Sequence, residues 1–147
     1  MTESDQLIKR PKVLTLILVL LTYGAITSLF SNIILDNNTA TNELLLEYIN
    51  SRSLFDRAMV YILNPFLLII CFFIIKRSAL SIPLYKTYVI LTYVSFLIHT
   101  ISSSWYIYFG LRGVLTSIIG LIITIAIIVY LQTLKKRNYF IEVKRDF

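Results

Sequence analysis

"GVLTSIIGLIITIAIIVYLQTL", residues 113–134, contains no charged side chain and is followed at once by Lys135, Lys136 and Arg137. Three further stretches also lack Asp, Glu, Lys and Arg, namely residues 13–35, 58–75 and 87–111. Even the shortest of them, with 18 residues, would be roughly 27 Å long as an α-helix, close to the thickness of the hydrocarbon layer of a membrane. The sequence therefore predicts an all-α integral membrane protein, a bundle of four transmembrane helices.

The overall composition agrees with this class and argues against a soluble domain. Hydrophobic residues make up 57% of the 147 residues and charged residues only 15%, whereas about a quarter of the residues in a soluble domain are charged. We expect one domain, residues 1–147, with helices over about 13–35, 58–75, 87–109 and 114–134. The first apolar stretch is longer than the core of a signal peptide, so we expect it to be retained.

Residues 36–57 form the longest loop between the predicted helices, and we place this loop on the outer side. From Thr41, a candidate N-cap, an apolar face formed by Leu44, Leu45 and Tyr48 indicates a short amphipathic helix lying at the membrane interface. A plain linker that happens to contain leucines is the alternative. The spacing of the apolar residues does not decide between the two.

Lysine and arginine are distributed unevenly between the two ends of the predicted helices. If successive helices alternate in direction, eleven of the fourteen basic residues lie on one side. Because basic residues resist translocation, this bias predicts that both termini lie in the cytoplasm, with the chain in a bacterial cytoplasmic (inner) membrane. The net charge of +6 is then explained by anionic lipid headgroups, which Lys135, Lys136 and Arg137 are placed to contact. The lipid bilayer is thus an expected partner, and nucleic acid is not.

Small and hydroxyl residues recur at helical spacing in three of the predicted helices. Residues three, four or seven apart share a helix face. Such stripes let membrane helices approach each other closely, because lipid provides no hydrophobic drive for helix pairing. Gly24 in helix one, and Gly113 and Gly120 in helix four, are the glycines of these stripes. We expect a compact bundle with the stripes turned inward.

Polar side chains are concentrated in the outer half of the predicted membrane region, while the inner half is aliphatic. They predict a small polar crevice that opens to the outside and is closed toward the cytoplasm, with His99 at its floor, almost midway along helix three. Asn64 precedes Pro65, whose missing backbone donor is expected to kink helix two and free a carbonyl to line the crevice. The candidate crevice residues are Ser28, Asn32, Asn64, Ser95, His99, Ser102 and Ser117.

His99 is the one histidine of the chain, and two roles are open for it. Ionisable residues inside a membrane are functional candidates by default, which favours a role in binding a ligand or a proton. Every acidic residue falls in a predicted loop or tail, so no carboxylate is expected beside His99 to complete a proton relay. The alternative is a structural, neutral imidazole that exchanges hydrogen bonds with Ser and Thr hydroxyls between helices.

The positions of the acidic residues, the histidine and the cysteine argue against enzyme chemistry and against a bound metal or cofactor. The single histidine and the single cysteine, Cys71, lie at different heights along the predicted helices. The sequence contains no metal-ligand cluster, no nucleophile elbow and no glycine-rich phosphate loop. We therefore expect no catalytic residues, no metal and no cofactor.

Two stretches resemble a known family. In "YLQTLKKRNYF", residues 130–140, an aromatic and a hydroxyl residue are followed by spaced basic residues and an Asn138-x-Phe140 close. "KRSALSIPLYKTYVI", residues 76–90, holds a basic loop with proline just before helix three. These features resemble the bacterial domain of unknown function 2569 family, which consists of small four-helix membrane proteins. The resemblance covers mainly the second half of the chain; it implies a bacterial cytoplasmic-membrane protein and supplies no activity.

Three functional classes remain open at this point. The sequence favours a non-enzymatic accessory protein that binds another membrane protein through its helix faces or outer loop. A specific version of this class resembles the immunity proteins of pore-forming bacteriocins. The second class is a small-solute transporter or channel that works as an oligomer, such as a homodimer formed through helix four, with the crevice as its solute site. The third is a purely lipid-organising role.

Overall fold

Four long α-helices make up most of the chain that the computed structural model describes, which comprises residues 10–36, 50, 52–103 and 105–140. They are α1 (Lys12–Asp36), α2 (Leu54–Ile75), α3 (Ser81–Ser103) and α4 (Trp105–Lys136). Each contains a stretch that is long and apolar enough to cross a membrane. The prediction of an all-helical protein with four helices of membrane-spanning length is therefore confirmed. The short helix predicted from Thr41 lies outside the described residues.

The helices pack in chain order, α1 against α2, α2 against α3 and α3 against α4. Most of the buried apolar side chains lie where α1 begins and α4 ends, which we call the termini end. There Leu14 of α1, Ile74 of α2, Tyr85 of α3 and Leu131 of α4 belong to one buried cluster. The end of α4 thus packs near the start of α3, so these two helices run antiparallel. We call the other end, where α2 begins and α3 ends, the far end.

The outward-facing side chains of the bundle are mostly aliphatic. Leu20 of α1, Ile90 of α3 and Ile122 of α4 are each more than half exposed. A soluble monomer rarely exposes contiguous apolar surface on this scale. The exterior therefore agrees with lipid, rather than water, as the surroundings of the helices.

α2 begins four residues earlier than the sequence predicts, because a capping box starts it at Leu54. Ser53 has extended backbone geometry, and its Oγ accepts a hydrogen bond from the N–H of Asp56 (3.1 Å). In return the Asp56 carboxylate accepts the N–H of Ser53 (3.0 Å). Two backbone donors that a helix start would leave unpaired are satisfied in this way. The first turn of α2 therefore contains a carboxylate.

α3 also begins earlier than predicted, at Ser81 rather than near residue 87. Pro83 lies in its first turn, where a missing backbone donor costs no intrahelical bond and the fixed φ of proline suits a helix. α4 is interrupted at Gly110, whose φ of 54° and ψ of −149° break the helical path. A side chain would be strained at this backbone conformation, and glycine adopts it readily. The chain turns at this single residue and continues as helix, whereas the predicted helices left residues 110–113 between them.

The last turns of α2 and α4 close in the same way, with a residue in the left-handed region. At the end of α2, Arg77 has a φ of 56° and the N–H of Ser78 donates to the carbonyl of Phe73 (3.0 Å). At the end of α4, Asn138 has a φ of 56° and the N–H of Tyr139 donates to the carbonyl of Leu134 (3.0 Å). Both are Schellman closures, which satisfy carbonyls at a helix C-terminus.

These two helix ends contact each other at the termini end. The Arg77 guanidinium lies 5.0 Å from the centroid of the Tyr139 ring, within the range of a cation–π interaction. Tyr139 and Phe140 are buried, at 3% and 6% exposure, and belong to the main cluster. The Asn138-x-Phe140 close thus directs two aromatic side chains into the core.

Gly24 and Gly120 do not bring helices together within the described part of the chain, contrary to the prediction. Both are exposed, and a Cβ built at either would meet no atom within 4 Å. For Gly120, the reason is that α4 packs on the other helices mainly near its C-terminal end. Gly113 is half-buried. The hydroxyl of Ser117, from the same stripe, donates to the Gly113 carbonyl of its own helix (2.9 Å).

Candidate functional site

A cavity of about 310 Å³ lies between α1, α2 and α3 on the far-end side of the core. Four of the seven candidate crevice residues line it: Ser28, Asn64, Ser95 and His99. Thr92, Tyr88 and Phe96 complete the α3 wall, and Met59, Val60 and Leu63 form the apolar part of the α2 wall. Its volume is at the lower end of the range for small-molecule sites, which also combine an apolar lining with a few polar groups.

The other three candidate crevice residues do not line the cavity or lie outside the described side chains. The Asn32 amide donates to the Ser28 carbonyl one turn below it on α1 (2.8 Å). Ser117 is on α4, which does not contribute to the cavity wall. The side chain of Ser102 is outside the described part. Ser117 is excluded because α4 packs on the other helices mainly near its C-terminal end.

The central polar contact of the cavity joins α2 to α3. His99 Nδ1 lies 3.1 Å from Asp56 Oδ2, and the two side chains are 16% and 5% exposed. The same carboxylate oxygen accepts the Ser53 hydroxyl proton (2.7 Å) and the Ser53 N–H (3.0 Å). Three donors therefore converge on Asp56 Oδ2, which holds the carboxylate in one orientation.

The prediction that no carboxylate lies beside His99 is wrong. Asp56 was placed in the outer loop because the apolar run starts at residue 58, but the capping box extends α2 to Leu54 and carries Asp56 into the helix. The prediction that His99 lies midway along helix three is also wrong, because α3 runs from Ser81 to Ser103. His99 is therefore near the far end of the bundle. Thr92 and Tyr88, about two and three turns deeper on α3, lie at the floor instead.

The second oxygen of the same carboxylate is buried without a hydrogen-bond partner among the described residues. Asp56 Oδ1 is one of two such buried side-chain atoms there, the other being the hydroxyl oxygen of Tyr139. A buried acceptor without a donor costs free energy comparable to a lost hydrogen bond, and more when the group is charged. Asp56 lines the cavity, so the cavity wall contains a carboxylate with one acceptor that no described residue satisfies.

Asn64 joins α1 to α2 at the inner part of the cavity. Its amide nitrogen lies 3.2 Å from Ser28 Oγ and donates to the Val60 carbonyl of its own helix (2.8 Å). α2 continues as helix through Pro65. The Asn64 amide thus binds a carbonyl within the helix one turn before the proline. Sequence reasoning placed Asn64 in the site, but assigned the polar contact to a carbonyl freed by a kink.

Aromatic side chains close the cavity toward the core. The Tyr88 ring lies 6.0 Å from that of buried Tyr85 and 6.4 Å from that of Phe66 on α2. The Thr92 hydroxyl donates a hydrogen bond to the Tyr88 carbonyl of its own helix (2.8 Å). This inner wall is thus mostly apolar and aromatic, while Arg52, Asp56 and the imidazole of His99 lie at the far end. The site is divided into a charged mouth and an apolar floor.

The contacts of Ser53, Asp56 and His99 do not form a nucleophilic site. The Ser53 hydroxyl donates its one proton to the carboxylate, whereas a serine nucleophile must donate to the imidazole. Within the described ranges no group of three or more His, Cys, Asp or Glu side chains could hold a metal. Cys71 is buried in the main cluster, away from the cavity. The chemistry available here is hydrogen bonding, charge pairing and proton exchange between a carboxylate and an imidazole.

Sequence reasoning missed two residues of the site, Asp56 and Arg52, which both line the cavity. A signal for Asp56 was present, since Ser53 and Asp56 have the spacing of a capping box directly before an apolar run. That pattern predicts a helix start at the serine and therefore a carboxylate inside the helix. Arg52 precedes the cap, and nothing in its local sequence marks it as a cavity residue.

Comparison of the chain with protein-family models, with curated proteins and with solved structures gave no match. The resemblance to the domain of unknown function 2569 family therefore stays a prediction. The function of the chain has to be argued from the geometry of the cavity and from the exposed surface of the helices.

Proposed function

We propose that this chain is a multi-pass membrane protein, without enzyme activity, that binds a small polar solute in the cavity between α1, α2 and α3 and carries it across the membrane as an oligomer. The observation that supports this proposal most directly is the hydrogen-bonded Asp56–His99 pair in the cavity wall. Ionisable side chains within membrane-spanning segments are costly, and they commonly mark solute or proton pathways.

The polar groups of the cavity favour a solute-binding role for the Asp56–His99 pair over a purely structural one. A pair that served only to hold two helices together would be expected to satisfy all of its acceptors. Here Asp56 Oδ1 remains without a donor in the described part of the chain, and the residue to which it belongs lines a space large enough for a ligand. Four helices are few for a lone transporter, so the proposal includes a second copy of the chain.

The distribution of basic residues supports one orientation of the proposed carrier. Because eight of the eleven basic residues that the structure describes lie at the termini end, we place both termini in the cytoplasm and the chain in a bacterial inner membrane. The charged mouth of the cavity then faces the exterior. Lys135, Lys136 and Arg137 would contact anionic headgroups on the cytoplasmic side.

Cysteine accessibility tests the site without knowledge of the solute. In a Cys71→Ala background, Ser95→Cys places a thiol on the cavity wall, and Ile98→Cys places one on the same helix outside that wall. We expect a membrane-impermeant thiol reagent, added to intact cells, to label Ser95→Cys at least about ten times faster, because only ionised thiols in contact with water react. Equal, slow labelling of both variants would contradict a water-filled cavity and, with it, the proposed function.

The accessory class is the second candidate, and the exposure of α4 favours it. Ile118, Ile119 and Ile122 are about half exposed or more, and a Cβ added at Gly120 beside them would meet no atom within 4 Å. Glycine beside aliphatic side chains suits close helix pairing in a membrane. Cross-linking in intact membranes, followed by mass spectrometry, separates the candidates. A stoichiometric foreign partner on α4 would support an accessory protein, of which the bacteriocin immunity proteins are one version, and a homodimer would support the carrier.

A further inference from the structure

We propose that the ligand of the cavity is a small zwitterion whose ammonium group donates to Asp56 Oδ1 and whose anionic group lies against Arg52. This inference rests on the proposed solute-binding function and names the chemical class of the solute. It is carried by three observations: the unpartnered carboxylate oxygen, an arginine on the same cavity wall, and an apolar floor.

The unpartnered oxygen defines the first group of the ligand. Ser53 and His99 supply three donors to Asp56 Oδ2, so the carboxylate cannot turn Oδ1 toward another partner without losing them. Asp56 is 6% exposed, and Oδ1 itself is shielded from solvent. A ligand that reaches this oxygen must carry a donor, and an ammonium group forms the charge-assisted bond that a carboxylate favours most.

Arg52 defines the second group of the ligand. It lines the cavity together with Asp56 and is half-buried there. A simple cation in the cavity would meet the positive charge of Arg52, and a simple anion would meet the negative charge of Asp56. A ligand that carries both charges complements both residues, and charge complementarity of this kind selects against ligands with only one of them.

The floor of the cavity defines the body of the ligand. Met59, Leu63, Tyr88 and Phe96 provide apolar and aromatic surface around about 310 Å³. This space admits a short aliphatic or aromatic group. Two classes of molecule have both an ammonium group and an anionic group within this volume. They are the free amino acids and the ethanolamine headgroup of an aminophospholipid.

Binding to the purified full-length chain, held in nanodiscs of phosphatidylglycerol, tests the ligand class. Leucine represents the free amino acid, and glycerophosphoethanolamine represents the headgroup. Isopentylamine and 4-methylpentanoate each keep the body of leucine and lack one of its charges. We expect at least one zwitterion to bind, and the amine and the acid to bind at least about tenfold more weakly. Binding of leucine alone assigns a free solute, and binding of the phosphoethanolamine alone assigns a lipid headgroup.

Two variants connect the binding to the two charged residues. We expect Asp56→Asn to weaken zwitterion binding on the order of ten- to a hundredfold. Arg52→Gln provides a readout that loss of folding cannot imitate, because it should weaken leucine binding while strengthening isopentylamine binding. Ser117→Ala on α4, outside the cavity, is the matched control and should bind like the natural chain.

The inference is overturned if neither zwitterion binds, or if isopentylamine binds as tightly as leucine to the natural chain. Its failure is distinguishable from failure of the proposed function. If the Ser95→Cys thiol reacts but neither zwitterion binds, the proposed solute site is supported and this ligand class is rejected. An unreactive Ser95→Cys thiol would reject both.

Discussion

At the scale of single residues, the Asp56–His99 contact joins α2 to α3 with two ionisable side chains that are almost fully shielded. The free energy of such a pair depends on its being complete. Substitution of one residue leaves the other buried without its opposite partner. Substitution of both by apolar residues leaves an apolar contact instead. This asymmetry makes the pair testable by substitution.

We expect His99→Leu to lower the free energy of unfolding by about 3 kcal/mol, at the lower end for a broken buried pair, because Ser53 still donates twice to the carboxylate. The measurement is an SDS titration in mixed micelles. The double variant His99→Leu/Asp56→Leu should lose less than the sum of the two single changes, because no unpaired charge remains. Additive losses would show that the two side chains do not interact.

At the scale of the helices, different kinds of residue determine where a helix begins and where it ends. Ser53 and Asp56 start α2, and left-handed residues close α2 and α4. Asn138 is suited to the left-handed conformation because its short polar side chain tolerates it better than other non-glycine residues. The Asn138-x-Phe140 close therefore has a structural explanation in this chain: asparagine makes the turn, and the aromatic residues after it fill the core.

We expect Asn138→Val to destabilise the chain by about 1–2 kcal/mol, because a β-branched residue is strained at a φ of 56°. Asn138→Gly is the matched control and should leave stability equal or slightly raised, since glycine adopts this φ without strain. Both are measured by the same SDS titration. An equal loss for valine and glycine would indicate that the asparagine side chain, rather than the backbone conformation, is what stabilises the end of α4.

At the scale of the whole molecule, the core and the cavity occupy opposite ends of the bundle. Nearly all of the fully buried apolar residues among those described lie toward the termini end, while the cavity and its charged residues lie toward the far end. α4 joins the rest of the chain mainly through its last turns, where Ile127, Leu131 and Leu134 are buried. Stability and the proposed solute site are therefore separated along the bundle axis.

Because of this separation, the same Leu→Ala substitution should lower the free energy of unfolding by different amounts at the two ends of α4. We expect Leu131→Ala to cost about 2–5 kcal/mol, because Leu131 is fully buried and its truncation leaves a cavity. Leu115→Ala, on the same helix, should stay within about 0.5 kcal/mol in the isolated chain, since half of the Leu115 side chain is exposed. Thermal unfolding of both variants in detergent checks this. A large loss for Leu115→Ala would mean that another protein or a second copy covers that part of α4.

Much of the fold could be predicted from the sequence, because membrane-length helices are determined by local composition. The charge-free runs located all four helices, and their lengths were sufficient to cross a membrane. One error lies at the start of α2, where a cap rather than hydrophobicity decides the boundary. Ser53 extended α2 by four residues and moved Asp56 from a predicted loop into the helix.

The candidate site was predictable only in part. The sequence by itself determined that polar side chains such as Ser28, Asn64 and His99 would interrupt an apolar bundle, because their types and helical spacing are local properties. Only the tertiary structure decided that His99 meets Asp56 and that a Cβ added at Gly120 would meet no atom within 4 Å. The physical reason is that partners 43 positions apart in the chain are chosen by the register and tilt of packed helices, which no single stretch of sequence specifies.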